Sequence, residues 1–245
     1  MFQFPPFRGF VKFFVITCFA FFVLQTIAFK TFAQPFPGID VLTYYLGLIP
    51  ERVFQGHAYV LLSWVLLHST DMIFHIIFNM LAFWMFGAMI QEELGNRSFV
   101  LFCFFGTIVS GLAVVGSSLM SDAAFLSPTI GASGIVFAIL VGYARLHPNQ
   151  TVIFYIFPMQ MKYLAGLLVL IDAFFMMGGN DGKVSYVAHL AGAAFGFLAI
   201  RFFKGQGGMG GGWLKHVTES LSQKKKKRHL RIVYPDEQDQ RRTYH

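Results

Sequence analysis

Long apolar runs separated by polar or Gly/Pro breaks set the pattern of this chain. Six of them predict membrane-spanning helices: Phe13 to Phe29, Met72 to Ile90, Phe99 to Met120, Gly134 to Leu146, Tyr163 to Met177 and Val184 to Phe203. Crossing about 30 Å of hydrocarbon takes about 20 helical residues at 1.5 Å each. The fourth and fifth runs are shorter than that, so each is expected to borrow flanking residues or to start below the membrane surface, where non-helical backbone is satisfied by protein. On that reading Pro128 to Gly131 dips into the membrane. The expected fold class is all-α, a polytopic membrane protein built as a six-helix bundle, with a short N-terminal segment (1–12), a core (13–204) and a tail (205–245).

Composition and charge give this pattern a direction. Hydrophobic residues make up 56% of the 245, 31 are Phe, and only 13% are charged, against roughly 25% in soluble domains, which excludes a soluble globule. The net charge of +7 would suggest nucleic acid in a soluble chain. Here the basic residues cluster at the C-terminal end and read as topology and lipid signals, so no nucleic-acid partner is expected. With both termini inside, the cytoplasmic side collects Arg8, Lys12, Arg97, Arg145, Lys162, Arg201, Lys204 and every basic residue from Lys215 onward, leaving Lys30, Arg52 and Lys183 outside. This is the positive-inside distribution. A cleaved signal peptide is the alternative for the first run, because Arg8 and Lys12 precede it and Thr31-Phe32-Ala33 loosely resembles a cleavage site. The later charge pattern argues against it.

The external stretch Lys30 to Asp71 carries apolar and aromatic patches and is expected at the interface. After the sixth run, six of the eight residues Gly205 to Gly212 are Gly, a flexible linker. Beyond it Trp213, Leu214, Val217 and Leu221 share one helical face ahead of Lys224, Lys225, Lys226, Lys227 and Arg228, a pattern suited to anionic lipid. A topogenic charge block is the plainer reading of the same residues. Cys18 and Cys103 lie inside apolar runs and offer neither a disulfide nor a zinc framework.

Polar groups in hydrocarbon are expensive, so each is a candidate for chemistry. His75 and Asn79 lie four residues apart on one helix face, with Asp71 one turn further out. Gly131-Ala132-Ser133-Gly134 opens the fourth span, His189 lies near the start of the sixth, and Asp172 sits on the fifth. Starting from a cytoplasmic N-terminus, spans two, four and six all run from outside to inside, so His75, Ser133 and His189 fall at one depth in the outer half of the bilayer. Gly134, Ala138 and Gly142 form a small-residue ridge, and Ala188, Gly192 and Gly196 form another. Docking these ridges would bring Ser133 and His189 within about 3 Å, as a nucleophile needs of its base. The helix N-terminus at Ser133 favours an oxyanion, His75 and Asn79 can add donors, and Gly131 and Gly134 allow close approach of a carbonyl. That is the constellation of acyl transfer.

In this order and context, Gly131-Ala132-Ser133-Gly134, His75-x-x-x-Asn79 and Ala188-His189 with Gly192 and Gly196 resemble the rhomboid family of intramembrane serine proteases, over about Phe13 to Phe203. The resemblance implies hydrolysis of peptide bonds in or near transmembrane segments of protein substrates. It implies Ser133 as nucleophile, His189 as base, and His75, Asn79 and the Ser133 N–H around the oxyanion, with no metal or organic cofactor. Two positions depart from the family pattern. Gln91 stands four residues before Gly95, where the family often has glutamate, which puts a cytoplasmic-side hydrogen bond in doubt. Phe137 stands four residues after Ser133, where some members pack a tyrosine on the histidine.

A non-catalytic binder of transmembrane helices is a second reading, although its usual mark, a missing serine or histidine, is absent. A six-span transporter is a third, for which an inverted repeat would be expected. Asp172 reads as structural or water-facing, His68 as a loop residue, and His57, His147, His216, His229 and His245 as surface groups without metal spacing. The compact core without a large added domain suits a bacterial cytoplasmic membrane, with an organellar membrane as the alternative.

Overall fold

A computed structural model describes residues 4–31, 39–120, 122–154, 157–177 and 185–205. The chain divides into a unit over Met1–Gly208 and a second over Met209–His245. The expectations for the linker beyond Gly205, the Trp213 to Leu221 face, the Lys224 to Arg228 block, Lys183, Val184, His216, His229 and His245 lie outside the described residues.

Ten helices and one pair of strands are described: α1 (Gly9–Thr31), α2 (Val41–Leu46), α3 (Pro50–Phe54), α4 (Val60–Ser63), α5 (Ile73–Leu94), α6 (Asn96–Ser118), α7 (Asp122–Leu126), α8 (Ser133–Leu146), β1 (Thr151–Phe154), β2 (Phe157–Gln160), α9 (Met161–Met177) and α10 (Tyr186–Gly205). A helix occupies each of the six apolar runs. Four of them, α1, α5, α6 and α10, are long and apolar enough to cross a membrane; α8 is a shorter apolar helix of 14 residues and α9 has 17. The antiparallel pair β1–β2 corrects the expectation of a chain without strands. Its first strand, Thr-Val-Ile-Phe, is rich in β-branched residues in a connection too short to continue as helix.

The centre of the bundle is α8, packed against α10, α5 and α6. Its contact with α10 is backbone to backbone. A Cβ on Gly192 would stand 2.0 Å from the Gly134 carbonyl oxygen, and one on Gly196 would stand 2.0 Å from that of Ala138. Only residues without a side chain permit this, and it places van der Waals contacts where lipid offers no hydrophobic drive to associate. On the other side, buried Phe83, Phe99 and Ile139 meet between α5, α6 and α8, while buried Phe102 of α6 packs against Phe195 and Phe203 of α10. By contrast, Phe13, Phe19 and Val23 of α1 and Leu170, Phe174 and Met177 of α9 are exposed apolar side chains, as lipid-facing surfaces require.

Non-helical and terminal backbone finds partners inside the protein. Residues before α8 pair with the stretch between α1 and α5: Leu48 and Thr129 exchange backbone hydrogen bonds of 3.0 and 2.9 Å, and the Gly131 N–H donates to the Trp64 carbonyl at 3.1 Å. The first amides of α1 are capped from other helices. Val11 N–H donates to Gln91 Oε1 at 3.0 Å, Phe10 N–H donates to Asn96 Oδ1 at 2.9 Å, and Gln91 Nε2 donates to the Arg8 carbonyl at 3.1 Å. The side-chain amide of Gln91 thus both accepts from and donates to the backbone at the start of α1. On the same side, His147 pairs with Glu93, which also accepts from Lys204 at 2.9 Å, so His147 is a partnered, half-buried group rather than a free surface one.

A methyl group at Gly192 must push α10 away from α8. Gly192→Ala is expected to destabilise the protein by about 1–3 kcal/mol, read as a lower unfolding temperature in detergent. Gly116→Ala, at a position with nothing within 4 Å of a Cβ, serves as the control and should leave the midpoint in place.

Candidate active site

Four helices bring their polar residues to one place. Ser133 is the first residue of α8, where the preceding Ala132 has left helical geometry (φ −80°, ψ 1°) and no side chain caps the helix. The first helical amides therefore face out of the helix end, next to the Ser133 hydroxyl. His189 lies one turn into α10 beside the docked ridges. Its Nε2 is 2.6 Å from Ser133 Oγ. The docking that places Gly192 against Gly134 therefore also joins the hydroxyl to the imidazole.

The ring is held from several sides. Phe137, one turn below Ser133, stacks on it with centroids 4.6 Å apart and planes 11° from parallel, and Tyr186 meets it edge-on at 6.5 Å. Phe137 thus supplies ring packing without a hydroxyl. His189 Nδ1 lies 2.6 Å from Asp172 Oδ2, and both residues are buried, at 9% and 8% exposure. An ionised carboxylate only accepts, and a ring with its proton on Nδ1 has Nε2 available to accept from the serine hydroxyl, so the two contacts suit one tautomer.

His75 and Asn79 approach from α5. Asn79 is buried and donates through Nδ2 to the His75 carbonyl at 2.7 Å, which leaves its second N–H unused by that bond. The Ser69 N–H donates to His75 Nδ1 at 3.3 Å, so Nε2 is the protonated nitrogen of a neutral ring. That nitrogen faces Gly131. Gly131 has φ +118°, open to glycine and strained for other residues, and the point where its Cβ would stand is 2.9 Å from His75 Nε2 and 3.9 Å from Ser133 Oγ. Any side chain at residue 131 would fill the small space that the imidazole and the hydroxyl share. Gly134 is likewise confined, with Ser110 Oγ 3.0 Å from its Cβ position.

Two features escaped the sequence reading. Asp172 was expected to be structural or water-facing, whereas its carboxylate turns inward to His189. A signal was available, since a carboxylate inside an apolar helical run needs a partner. His68 does lie in a loop, but it is fully buried and packs edge-on against His75 at 5.3 Å. Neither of its ring nitrogens has a hydrogen-bond partner at good geometry. Burial, helped by the neighbouring His75, pulls its pKa from 6.5 to about 3, which the nearby Leu66 backbone only partly offsets. Its backbone N–H is fastened to Gln25 Oε1 of α1 at 3.0 Å. Among the described residues no group of three or more His, Cys, Asp or Glu side chains is placed to hold a metal ion.

The profile of the rhomboid domain matches residues 55–205. The chain is also similar to Rhomboid protein 1, mitochondrial, of Saccharomyces cerevisiae, at 28% identity over 127 residues. That match covers 51% of this chain and 36% of the relative's own length.

His68 generates a pH prediction. Between pH 6.5 and about 3 the unfolded chain holds a proton at this residue that the folded chain lacks. Its neutral ring therefore supports the fold fully above pH 6.5, and stability falls with pH through that window by about 1.4 kcal/mol per unit from this group. Unfolding midpoints of His68→Leu should decline less steeply than those of the wild type between about pH 6.5 and pH 4; parallel declines would contradict the assignment.

Proposed function

The chain belongs to the rhomboid family and is an integral, multi-pass membrane protein, and we propose that it is a serine endopeptidase that hydrolyses peptide bonds in or near transmembrane segments of protein substrates. The observation that carries this reading is the 2.6 Å contact of Ser133 Oγ with His189 Nε2, between residues that tertiary packing alone brings together. A small residue kept only for helix packing has no need of an imidazole in its hydroxyl's direction.

In this reading Ser133 Oγ attacks the scissile carbonyl carbon while His189 Nε2 takes the hydroxyl proton. The carbonyl π pair moves to oxygen, and the resulting oxyanion is met by His75 Nε2–H, the free side-chain N–H of Asn79 and the Ser133 backbone N–H. His189 then gives the proton to the departing amine as the C–N bond breaks, leaving an acyl-Ser133 ester. Water, deprotonated by the same nitrogen, hydrolyses it and restores the enzyme. Gly131 and Gly134 keep side chains out of the carbonyl's approach, Phe137 holds the ring, and Gly192 sets the distance between the two helices. Every step uses side chains and backbone alone, so no cofactor enters the reading.

The proposed architecture has six crossings, α8 and α9 completing their spans with flanking residues and protein-embedded backbone, and both termini on the cytoplasmic side of a bacterial cytoplasmic membrane. The core spans residues 13–204, and the tail's Lys224 to Arg228 block is proposed to lie on anionic lipid.

The test is cleavage of a fluorogenic single-span reporter in proteoliposomes. Wild type should cleave it, and Ser133→Ala and His189→Ala should each lose turnover while staying folded; cleavage that survives Ser133→Ala would sink the proposal. Labelling of Ser133 by a fluorophosphonate separates a poor reporter from a non-catalytic family member. Asn79→Ala should cost about 2.7–4 kcal/mol in kcat, and a loss under about tenfold would remove it from the oxyanion role.

A further inference from the structure

We propose that Asp172 is the third member of a Ser133–His189–Asp172 relay, a positioning residue that holds the His189 imidazole in the tautomer able to take the serine proton. The inference rests on the protease reading above and adds to it a residue on a separate helix.

The ring of His189 is engaged in two directions, with Ser133 Oγ 2.6 Å from Nε2 and Asp172 Oδ2 2.6 Å from Nδ1. A neutral imidazole has a single proton to place. With a carboxylate at Nδ1 the proton belongs there, and the Nε2 lone pair points at the hydroxyl. Without it the ring is free to carry its proton on Nε2, which cannot then act as a base. The carboxylate also matters during reaction. As the Ser133 O–H bond breaks and the Nε2–H bond forms, the ring becomes a cation, and Asp172 supplies the adjacent negative charge in a buried, low-dielectric place. Asp172 itself gains no proton, and the one on Nε2 leaves with the amine.

The surroundings single out this carboxylate. His189 is faced by Ser133 and Phe137 from α8, Asp172 from α9, His75 from α5 and Tyr186 from its own helix. Asp172 is the acidic group among them. On α9 the other buried side chains are Met161, Leu164 and Ala165, all in its first two turns, while Leu170, Ile171, Phe174 and Phe175 are exposed. Asp172 is thus a lone inward-turned polar residue on the outer, lipid-facing part of the helix. A carboxylate in that position needs a partner, and the partner it has is the base of the proposed site.

The full chain in proteoliposomes tests this with Asp172→Asn and Asp172→Glu. The measurements are kcat and KM on the single-span reporter, the rate of Ser133 labelling by a fluorophosphonate, and the unfolding midpoint. Asp172→Asn should fold, lose at least about 100-fold in kcat with KM moved by less than about threefold, and label more slowly in parallel; Asp172→Glu should recover part of both rates. Ring ¹⁵N shifts of the unmodified protein should show His189 protonated at Nδ1 and bare at Nε2, a reading that stands even where Asp172→Asn does not fold. A kcat within about threefold of wild type, a loss confined to KM, or a resting proton on Nε2 overturns the relay. Wild type that neither cleaves nor labels overturns the protease reading instead, whatever the tautomer.

Discussion

The backbone-to-backbone approach of α10 to α8 is the contact on which the candidate site depends. Serine and histidine side chains reach only a few ångströms, and helices at the usual 8–10 Å axis separation with large residues between them would leave hydroxyl and imidazole apart. Gly192 and Gly196 remove that spacer by resting on the carbonyls of Gly134 and Ala138. Because lipid tails compete equally well for apolar surface, a membrane bundle is held by close packing and internal hydrogen bonds. The geometry that stabilises the pair is therefore the same geometry that presents Ser133 to His189.

Around that pair the protein solves a second problem, irregular backbone near hydrocarbon. The segment leading into α8 hydrogen-bonds to Leu48 and Trp64 of the stretch between α1 and α5, so Gly131 can turn without unsatisfied amides. The same stretch is pinned to α1 through Gln25, which accepts from the His68 N–H and donates to Thr43 Oγ1 at 3.2 Å. His68 then buttresses His75. A chain of ordinary structural contacts thus runs from the first helix to the ring nearest the proposed oxyanion, while at the other end Gln91 and Asn96 cap α1.

Embedding is uneven among the helices, and the site lies where it changes. Ser133, His189, His75 and Asn79 come from helices locked into the core, whereas Asp172 comes from α9, most of whose outer half faces outward. A charge held by a weakly embedded helix is sensitive to that helix's position. The electrostatic environment of His189 and the packing of α9 are in this sense one property.

Much of this was legible in the chain itself. Apolar length placed a helix on each of the six runs, since 1.5 Å per residue against bilayer thickness leaves little choice, although only four helices are long enough to span unaided. Ridge spacing marked the faces of α8 and α10 that meet. Other features resisted. The partners of Gln91 and His68, Val11 and Gln25, could not be read because they are far away in sequence, and the short β1–β2 pair is a local choice between weak preferences. Sequence alone determined where the long helices lie and their periodicity, which follow from helix geometry and the length of the apolar runs. Only the tertiary structure decided azimuth: Asp172 marks one face of α9 as polar, but which group that face meets depends on packing against α8 and α10, and that packing aims the carboxylate at His189.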